Sequence, residues 1–384
     1  MLEKILDLIG NSNCTGCYAC YNICEMKAIE IRKTEDGFYK PVIKKERCIG
    51  CGFCITNCPV LNPEYSNNPE PKFYMGWSKN QQIRKASSSG GIFSEIAIAI
   101  LESRGIVFGA AWDDCLEVKH IKVDSIDNLY LLRGSKYLQS KVGYAYKEIK
   151  EILENSQKNV LFVGTPCQVA GLKKIVKSDR LITCDLVCHG IPSYIPFKSF
   201  IEALNEKVEK VNFRDKITGW RNFSLTYYEK KRKVSHVHYK DKFFMGYLRN
   251  YYLNEACYSC LFSKLPRQGD ITLGDFWGIE KKYDKKNEGV SLIIVNNSAG
   301  LNIVEELRKN NRIELREVEK DKAIKYNIRV YSGYYERPKQ RDYIIGEIRK
   351  KGFNKVANKE IKIDNNMIRI LKKVYVFVKN KLKY

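Results

Sequence analysis

From residue 73 onward, short apolar runs alternate with amphipathic segments. Apolar runs bounded by glycine or polar residues are typical of strands, and apolar residues at helical spacing are typical of helices. The pattern predicts strands at 73–78 and 106–112, and strands that end in a turn within 159–168 and 181–190. It predicts a Ser/Gly loop that opens a helix at 87–105, and a further helix at 144–156. Such alternation favours an α/β domain with a mainly parallel sheet.

The pattern continues toward the C-terminus and then becomes basic. The stretch "VSLIIVNNSAGLNIVEELRKNNRIELREV" at 290–318 predicts a strand, a helix and a strand that complete the same domain. The lysine-rich segment 361–384 has apolar residues at helical spacing, which predicts an amphipathic basic helix. Its apolar positions are Met367, Ile370, Leu371, Val374 and Val378. We expect this helix to pack on its own domain. Contact with an acidic membrane surface, or a strand at 374–378, is the alternative.

Two cysteine-rich blocks with the same spacing precede this domain. "CTGCYACYNIC" and "CIGCGFCITNC" both read C-x2-C-x2-C-x3-C and start at positions 14 and 48. At this spacing, three cysteines hold one 4Fe-4S cluster and the fourth reaches the neighbouring cluster. We therefore assign one cluster to Cys14, Cys17, Cys20 and Cys58, and the other to Cys48, Cys51, Cys54 and Cys24. Zinc is a weak alternative, because its sites use more widely separated cysteine pairs.

These blocks resemble those of bacterial two-cluster ferredoxins. Pro59 follows the last cysteine of the second block, as in the ferredoxin pattern, whereas Glu25 takes that place in the first block. The stretch "GFYKPVI" at 37–43 is similar to the short hairpin between the two clusters. The resemblance implies a ferredoxin domain over 1–62 that carries single electrons. The following segment, 63–72, is rich in Asn, Pro and Glu and predicts a linker.

Composition narrows the class of protein. The chain has 384 residues, 14 cysteines and a formal net charge of +23. No apolar run approaches the roughly 18 residues of a membrane-spanning helix, and the N-terminus lacks the build of a signal peptide, so we expect a soluble cytoplasmic protein. The charge favours an acidic electron-carrier protein as partner, unless it reflects only a lysine-rich solvated surface. No nucleic-acid partner is expected, because the chain has no recognisable binding motif.

The stretch "SSSGG" at 87–91 is the first candidate ligand site. Ligands of α/β sheets bind at the carboxyl ends of strands, where such loops lie. A helix N-terminus favours a phosphate, and glycine exposes the backbone N–H groups. The residues concerned are Ser88, Ser89, Gly90 and Gly91. An ordinary serine helix cap is the alternative.

Two further stretches fall at similar places. "RGSKYLQS" at 133–140 offers positive charge beside hydroxyl and amide groups, and "GTPCQ" at 164–168 puts a cysteine at a strand end. The candidate residues are Lys136, Tyr137, Gln139, Ser140, Thr165 and Cys167. Each stretch alone is a weak signal.

Six cysteines remain outside the two blocks: Cys115, Cys167, Cys184, Cys188, Cys257 and Cys260. Cys184 lies inside an apolar strand, which favours a buried thiol, and Cys115 lies in an acidic loop that suits a cluster poorly. The other four are the best candidates for the ligands of a third 4Fe-4S cluster. A zinc site on the same cysteines, or four unrelated thiols, are the alternatives.

Only weak candidates for catalysis are present. His189 follows Cys188 and is a candidate proton relay, although a histidine beside a ligand more often orients that ligand. Asp275 and Trp277 follow a short strand in "GDITLGDFWG". Trp277 would shield a cofactor from water or pack in a core.

Together these stretches resemble the beta subunits of coenzyme F420-reducing hydrogenases and formate dehydrogenases. The matching stretches are "SSSGG", "GSKYLQS", "GTPCQ", "DLVCHGIPS", "CYSC" and "GDITLGDFWG". The resemblance implies FAD bound in the α/β domain, close to a 4Fe-4S cluster held by Cys167, Cys188, Cys257 and Cys260. It implies a phosphate site at Ser88, Ser89, Gly90 and Gly91, with Lys136 near the flavin. Tyr137, Gln139, Ser140, Thr165 and Trp277 are further cofactor-binding candidates.

The implied function is that of an iron–sulfur flavoprotein oxidoreductase. It would exchange a hydride with a small molecule or a deazaflavin such as coenzyme F420, and single electrons with a redox partner subunit. A flavin-free electron-transfer subunit that feeds a separate catalytic protein is the alternative. The expected fold class is α+β / α/β, a two-cluster ferredoxin domain followed by a larger α/β flavin-binding domain. The segments expected after the linker are 73–155, 156–330 and a basic tail at 331–384.

Overall fold

The computed structural model describes residues 13–204, 207–230, 232–333 and 335–363. The predicted basic helix lies outside the described residues beyond position 363, and so do its apolar positions from Met367 to Val378. No helix within the described ranges is long and apolar enough to cross a membrane.

The described strands and helices are as follows. The strands are β1 (Ile29–Lys33), β2 (Tyr39–Ile43), β3 (Lys72–Ser78), β4 (Ile106–Trp112), β5 (Val118–Val123), β6 (Ser140–Lys141), β7 (Val160–Gly164), β8 (Leu181–Leu186), β9 (Val208–Asp215), β10 (Ser224–Glu229), β11 (Arg232–Val237), β12 (Ile271–Asp275), β13 (Ser291–Val295) and β14 (Ile313–Glu317). The helices are α1 (Ala19–Ile23), α2 (Phe53–Thr56), α3 (Gln81–Ala86), α4 (Ile92–Glu102), α5 (Ala145–Asn155), α6 (Pro166–Lys173), α7 (Tyr194–Glu202), α8 (Lys242–Leu248), α9 (Ser298–Lys309), α10 (Lys320–Ile324), α11 (Ile328–Tyr331), α12 (Arg341–Lys351) and α13 (Phe353–Glu360).

The cysteine-rich N-terminal segment folds around one hairpin. β1 and β2 pair antiparallel, with Ile29 opposite Ile43, which confirms the hairpin predicted around 37–43. Gly16 in the first cysteine loop has a φ of +67°, and a Cβ there would come within 2.5 Å of Tyr39 O. Only glycine therefore allows this loop to pack so closely against β2.

A nine-stranded sheet organises the rest of the chain, in the order β14-β3-β13-β12-β8-β7-β4-β5-β6. The prediction of a mainly parallel sheet is wrong, because four neighbouring pairs are antiparallel and four are parallel. β3 lies between β13 and β14 and runs antiparallel to both. Hydrophobic periodicity identifies a buried strand but carries no information on its direction. The four central strands β12, β8, β7 and β4 are parallel, so their carboxyl ends share one edge.

The individual elements agree well with the sequence pattern. The four predicted strands correspond to β3, β4, β7 and β8, and the two predicted helices to α4 and α5. The strand, helix and strand predicted at 290–318 correspond to β13, α9 and β14. The stretch 159–168, predicted as a strand that ends in a glycine turn, forms β7 up to Gly164, and Pro166 then starts α6.

The segment 63–72, predicted to be a linker, is fixed to the large domain. Asn67 is buried and donates hydrogen bonds to Arg267 O and Gly269 O, both at 2.8 Å. Lys174 forms an ion pair with Glu64 at 2.6 Å. Because these polar side chains satisfy buried backbone groups, the connection is part of the fold.

The chain beyond residue 330 differs from the tail that the sequence pattern suggests. α12 and α13 pack against α7 and contribute Ile344, Ile348 and Phe353 to a largely aromatic core. The three-stranded sheet β11-β10-β9 packs on the same core. This second core borders the edge of the large sheet at which the central strands end.

Candidate functional site

The eight cysteines of the two N-terminal blocks separate into two groups of four. In the first group, the pKa of Cys17 is raised to about 12, mainly by burial and in part by the nearby Cys58 and Cys14. Burial likewise raises the pKa of Cys20, with Cys17, Cys14 and Cys58 adding to the rise. The last cysteine of the second block therefore lies with the first three of the first block, as the spacing predicts. Ligation itself stays a prediction.

The second group is the more exposed one. Burial raises the pKa of Cys54 to about 11, and the thiolates of Cys24, Cys51 and Cys48 add to the rise. Cys51 is exposed, whereas three members of the first group are buried. We call the second group the outer group and the first the inner group.

The inner group rests on α6, the helix that carries Cys167. A Cβ at Gly171 in α6 would already lie 3.2 Å from Cys17 Sγ. The hydroxyl of Tyr146 lies 2.8 Å from both Cys17 O and Gln168 O. One buried tyrosine therefore holds the first cysteine loop against α6.

Gln139, predicted to bind the cofactor, lies at the junction of the two domains instead. Its Oε1 accepts a hydrogen bond from Tyr39 N at 2.7 Å, and its Nε2 donates one to Tyr39 O at 3.0 Å. The Gln139 side chain is buried and pairs with β2 as a neighbouring strand would. Its amide groups are thus used in joining the domains.

An ion-pair network around the buried Glu117 reinforces this junction. The Glu117 carboxylate accepts a hydrogen bond from Tyr39 Oη at 2.8 Å and pairs with Lys33 at 2.9 Å, Lys198 at 3.0 Å and Lys141. Burial alone would raise the pKa of Glu117, but the hydrogen bonds from these lysines outweigh burial and hold the pKa well below its usual range. The carboxylate therefore stays charged, and the network intact, at neutral pH.

Four cysteines that are distant in the sequence converge beside α6; we call them the third group. They are Cys167 in α6, Cys188 after β8, and Cys257 and Cys260 after α8. Burial raises the pKa of Cys257 to about 12, with Cys188 and Cys260 adding to the rise. Burial also raises the pKa of Cys167, and Cys260, Cys17 and Cys188 contribute. Four sulfur donors close together in one partly buried place fit an iron–sulfur cluster.

The structure also places the two cysteines that the sequence left outside this group. Cys184 is 1% exposed inside the sheet, and Cys115 is exposed. Within the described ranges, no three His, Cys, Asp or Glu side chains are placed to hold a single metal ion. In a 4Fe-4S cluster each cysteine binds a different iron atom.

A cavity of about 510 Å³ lies next to the third group. Its wall includes Cys188, the Ser/Gly loop before α4, and residues at the carboxyl ends of β7, β8 and β12. This is the edge at which ligands of α/β sheets bind. The volume is within the range of about 300–1,000 Å³ that is typical of small-molecule sites.

Most residues predicted to bind the cofactor contribute to the cavity wall. They are Ser88, Ser89, Gly91, Lys136, Tyr137, Ser140, Thr165 and Trp277, together with His189 and Asp275. Gly90 faces the sheet instead, because a Cβ there would come within 2.5 Å of Gly76 O and 2.8 Å of Ser291 N. Glycine at this position is therefore required for packing of the loop against β3 and β13.

The Ser/Gly loop leaves the N-terminus of α4 without a side-chain cap. First-turn amides have no partner within their own helix, and they favour an anion. Ser87 and Ser89 donate their hydroxyl hydrogens to backbone carbonyls. Ser88 Oγ instead accepts hydrogen bonds from Ser135 N at 2.9 Å and Ser135 Oγ at 3.1 Å. The hydroxyl hydrogen of Ser88 is therefore available to a ligand.

Lys136 shapes the neighbouring part of the wall. Its Nζ donates hydrogen bonds to the carbonyl oxygens of Leu132, Arg133 and Gly134, at 3.1, 2.9 and 3.2 Å. Burial lowers the pKa of Lys136 to about 7. An anionic ligand in the cavity would favour the protonated form.

Asp275 holds Arg214 and Trp220 at another part of the cavity wall. Arg214 donates two hydrogen bonds to the Asp275 carboxylate, at 2.7 and 3.0 Å, and Trp220 Nε1 donates a third at 2.7 Å. Trp277 stacks on Trp220, with ring centroids 5.0 Å apart and planes 6° from parallel. These contacts engage Asp275 in positioning its neighbours, which speaks against proton transfer by its carboxylate.

His189 is enclosed by aromatic rings. Its Nε2 donates a hydrogen bond to Asn250 Oδ1 at 2.9 Å, and its ring lies against Tyr247 and Tyr335, with centroids 4.7 and 4.6 Å away. Burial, and then the charge of Arg329, lower the pKa of His189 to about 4. The imidazole is therefore neutral at pH 7.

Sequence reasoning missed several residues of the wall. Arg214, Arg221, Arg329 and His120 come from four different elements and carry no motif. Three of these residues have a buried polar atom without a hydrogen-bond partner among the described residues: His120 Nδ1, Arg214 Nε and Arg221 Nη2. No local signal identifies these residues, because β9, which carries Arg214, mixes apolar with charged and polar residues.

The cavity is basic as well as polar. Among its described lining residues, five are Lys or Arg and one is a carboxylate. Buried polar atoms are nearly always satisfied in the working state of a protein. An anionic ligand with several polar groups, such as one that carries phosphates, therefore fits this wall.

Comparison with known proteins gave matches over most of the chain. Two matches are to the family described as "Coenzyme F420 hydrogenase/dehydrogenase, beta subunit": residues 73–147 match the N-terminal part of that family, and residues 157–321 match its C-terminal part. Residues 13–62 match the "4Fe-4S dicluster domain".

Two individual relatives agree with these matches, and one solved structure is similar in part. The chain is similar to one of the subunits of the F(420)H(2) dehydrogenase of Methanosarcina mazei, with 26% identity over 86% of this chain and 99% of the relative. It is also similar to a coenzyme F420-dependent sulfite reductase of Methanocaldococcus jannaschii, with 23% identity over 84% of this chain and 50% of that protein. A chain in the F420-reducing [NiFe] hydrogenase complex of Methanosarcina barkeri aligns with a TM-score of 0.47 and 16% identity, over 75% of this chain and 90% of that chain.

Proposed function

Because the chain belongs to the coenzyme F420 hydrogenase/dehydrogenase beta subunit family and begins with a 4Fe-4S dicluster domain, we propose that it is an iron–sulfur flavoprotein oxidoreductase. It passes single electrons between 4Fe-4S clusters and FAD, and it exchanges a hydride with a small molecule or a deazaflavin. The observation that carries this proposal is that the third cysteine group and the uncapped N-terminus of α4 border one basic cavity.

The residues of the wall fit FAD in the following way. The first-turn amides of α4 and the hydroxyl of Ser88 would hold the pyrophosphate, and Arg133 and Lys136, from the segment that contacts Ser88 and Ser94, would balance part of its charge. Trp277, stacked on Trp220 and held through Asp275, forms a flat apolar face for an aromatic ring. FAD, when bound, supplies the exchange between one hydride and two single electrons.

The three cysteine groups lie in an order that suits electron transfer. Cys54 of the outer group contributes to the raised pKa of Cys20 in the inner group. The inner group touches α6, which carries Cys167 of the third group, and Cys188 of the third group borders the cavity. The clusters, when bound, supply one-electron transfer. The junction built from Tyr146, Gln139 and Glu117 keeps the inner and third groups at a fixed separation.

The content of FAD tests this proposal first. After anaerobic purification and incubation with FAD, we expect about one FAD per chain, because the cavity supplies both a phosphate site and an aromatic wall. The flavin is released with acid and quantified by chromatography, with iron measured on the same sample. Riboflavin in a parallel incubation is the control, and it should bind more weakly because it has no phosphate. Protein with full iron that retains no FAD would instead indicate an electron-transfer subunit that feeds a separate catalytic protein.

The redox partner is expected to dock on the surface of the outer group. Ile49, Phe53 and Met26 are 68%, 54% and 48% exposed there. Lys27, Lys45 and Arg47 are exposed in the same two stretches, as are Glu25 and Glu46. An exposed apolar patch with more basic than acidic neighbours, on a chain with a net charge of +23, suits a small acidic electron-carrier protein. We therefore assign such a carrier to this surface.

Phe53→Asp should slow electron entry without loss of iron. With a small acidic two-cluster ferredoxin as donor, we expect the second-order rate of reduction to fall at least about fivefold, because the new carboxylate repels the donor. Stopped-flow absorbance measures the rate. Tyr130→Asp, which changes an exposed aromatic residue outside the ferredoxin domain, is the matched control and should leave the rate unchanged. Equal rates in the two variants would place the docking surface elsewhere.

A further inference from the structure

Arg329 in α11 has an unusual setting. The residue is 3% exposed, and the structure shows no carboxylate within ion-pair distance of it in the described part of the chain. Its Nε donates a hydrogen bond to Cys188 O at 3.2 Å, and its Nη1 donates one to Cys257 O at 2.9 Å. One guanidinium group therefore joins two loops of the third cysteine group that are far apart in the sequence.

Arg267, a second buried arginine near Cys188, differs from Arg329 in having a counter-ion. Arg267 is also buried near Cys188, and it donates a hydrogen bond to Leu186 O at 2.8 Å. However, its guanidinium forms an ion pair with Asp185 at 3.1 Å, so its charge is balanced. The charge of Arg329 has no such partner among the described residues, and its guanidinium group lies 5.2 Å from the ring centroid of Tyr335.

Burying a cation without a counter-ion is costly. An anion held by Cys188 and Cys257 would offset this cost, because the guanidinium group is hydrogen-bonded to the backbone of both residues. A 4Fe-4S cluster with four thiolates is anionic and becomes more negative by one charge on reduction. A fixed positive charge in a poorly solvated place therefore stabilises the reduced form more than the oxidised form.

We propose that Arg329 is a positioning residue that clamps the Cys188 and Cys257 loops and raises the reduction potential of the third cluster relative to the two N-terminal clusters. This inference rests on the proposed function, because it requires that the third group holds a cluster. Arg329 also lines the cavity, so it contacts both the third group and the space assigned to FAD. Electrons are thereby drawn toward the cluster that borders this space.

The test is Arg329→Met in the full chain, with Arg329→Lys as the variant that keeps the charge. At a fixed ambient potential, R329M should show about a tenfold lower ratio of reduced to oxidised third cluster, equivalent to a shift of about 59 mV for a one-electron couple. R329K should lie close to the unchanged protein. A redox titration followed by electron paramagnetic resonance, with iron determined on each sample, gives the potentials of all clusters.

Arg308→Met is the control, because it removes the same charge from the exposed face of α9. It should leave every potential unchanged. If R329M retains its iron and the third cluster keeps its potential, the inference is wrong. If R329M loses the third cluster and R329K retains it at the unchanged potential, the need for a cation at this place is supported. If both variants lose the cluster, Arg329 serves only to hold the loops, and its role in the reduction potential is overturned. Absence of a third cluster in the unchanged protein would refute the proposed function instead.

Discussion

Cys257→Ser should remove about four iron atoms per chain and leave the signals of two clusters in place. Cys257 is a member of the third group, and its Sγ accepts a hydrogen bond from Ile191 N at 3.4 Å. A serine hydroxyl is a harder ligand than a thiolate and is far more difficult to deprotonate, so it replaces cysteine poorly on iron. The two N-terminal groups take their ligands from a separate segment and should be unaffected.

Iron, zinc and acid-labile sulfide, measured on anaerobically purified protein, check this result. Cys115→Ser is the matched control, since Cys115 is an exposed thiol outside the three groups, and it should retain all iron. Unchanged iron in C257S would mean that the four thiols are not cluster ligands. Loss of about one zinc atom per chain, with no change in iron, would instead identify the zinc alternative.

Ser88→Asp should weaken FAD binding at least about tenfold, or roughly 1.4 kcal/mol. Ser88 lines the cavity beside the uncapped N-terminus of α4, where the pyrophosphate is expected. A carboxylate about 4 Å from a phosphate charge costs roughly 4 kcal/mol at an effective dielectric constant of 20. Water in the cavity screens part of this repulsion, which is why we expect the smaller value.

Ser88→Asn is the matched control, because asparagine has the size of aspartate without its charge. Titration of the apo-flavin protein with FAD, followed by flavin fluorescence, gives both dissociation constants. S88N should bind FAD several times more tightly than S88D. Equal weakening would show that Ser88 acts through its hydrogen bonds with Ser135, and undiminished binding in S88D would mean that the phosphates lie elsewhere. Gly90 is less suitable for this test, because any side chain there would collide with Gly76 and Ser291.

The local patterns of the sequence were informative wherever the chemistry depends on neighbours along the chain. The spacing of the cysteines in each block sufficed to group Cys58 with the first block, because a short loop can present only three ligands to one cluster. The runs of apolar residues located β3, β4, β7 and β8, since a buried strand must be apolar on both faces. The Ser/Gly stretch indicated the start of α4, because serine and glycine are typical of the residues that precede a helix.

Other features depend on groups that meet only through the fold. The sequence around Gln139 suggests a binding loop. Its side-chain amide instead forms hydrogen bonds with the backbone of Tyr39, a hundred positions away along the chain. The direction of β3 follows from its insertion between β13 and β14. Hydrophobic periodicity does not predict this pairing. The segment after residue 330 reads as a basic tail, but α12 and α13 complete an aromatic core.

The sequence by itself determined the two N-terminal cysteine groups, the family and most of the strands and helices, because each of these is recognised from residue patterns within short segments. The tertiary structure alone decided that Arg214, Arg221 and Arg329 line one cavity and that Asp275 is engaged by Arg214. It also placed the backbone carbonyls of Cys188 and Cys257 within hydrogen-bond distance of the same guanidinium group, that of Arg329. Charges act through space over several ångströms, so their effect is fixed by the packing of distant elements and leaves no periodic trace along the chain.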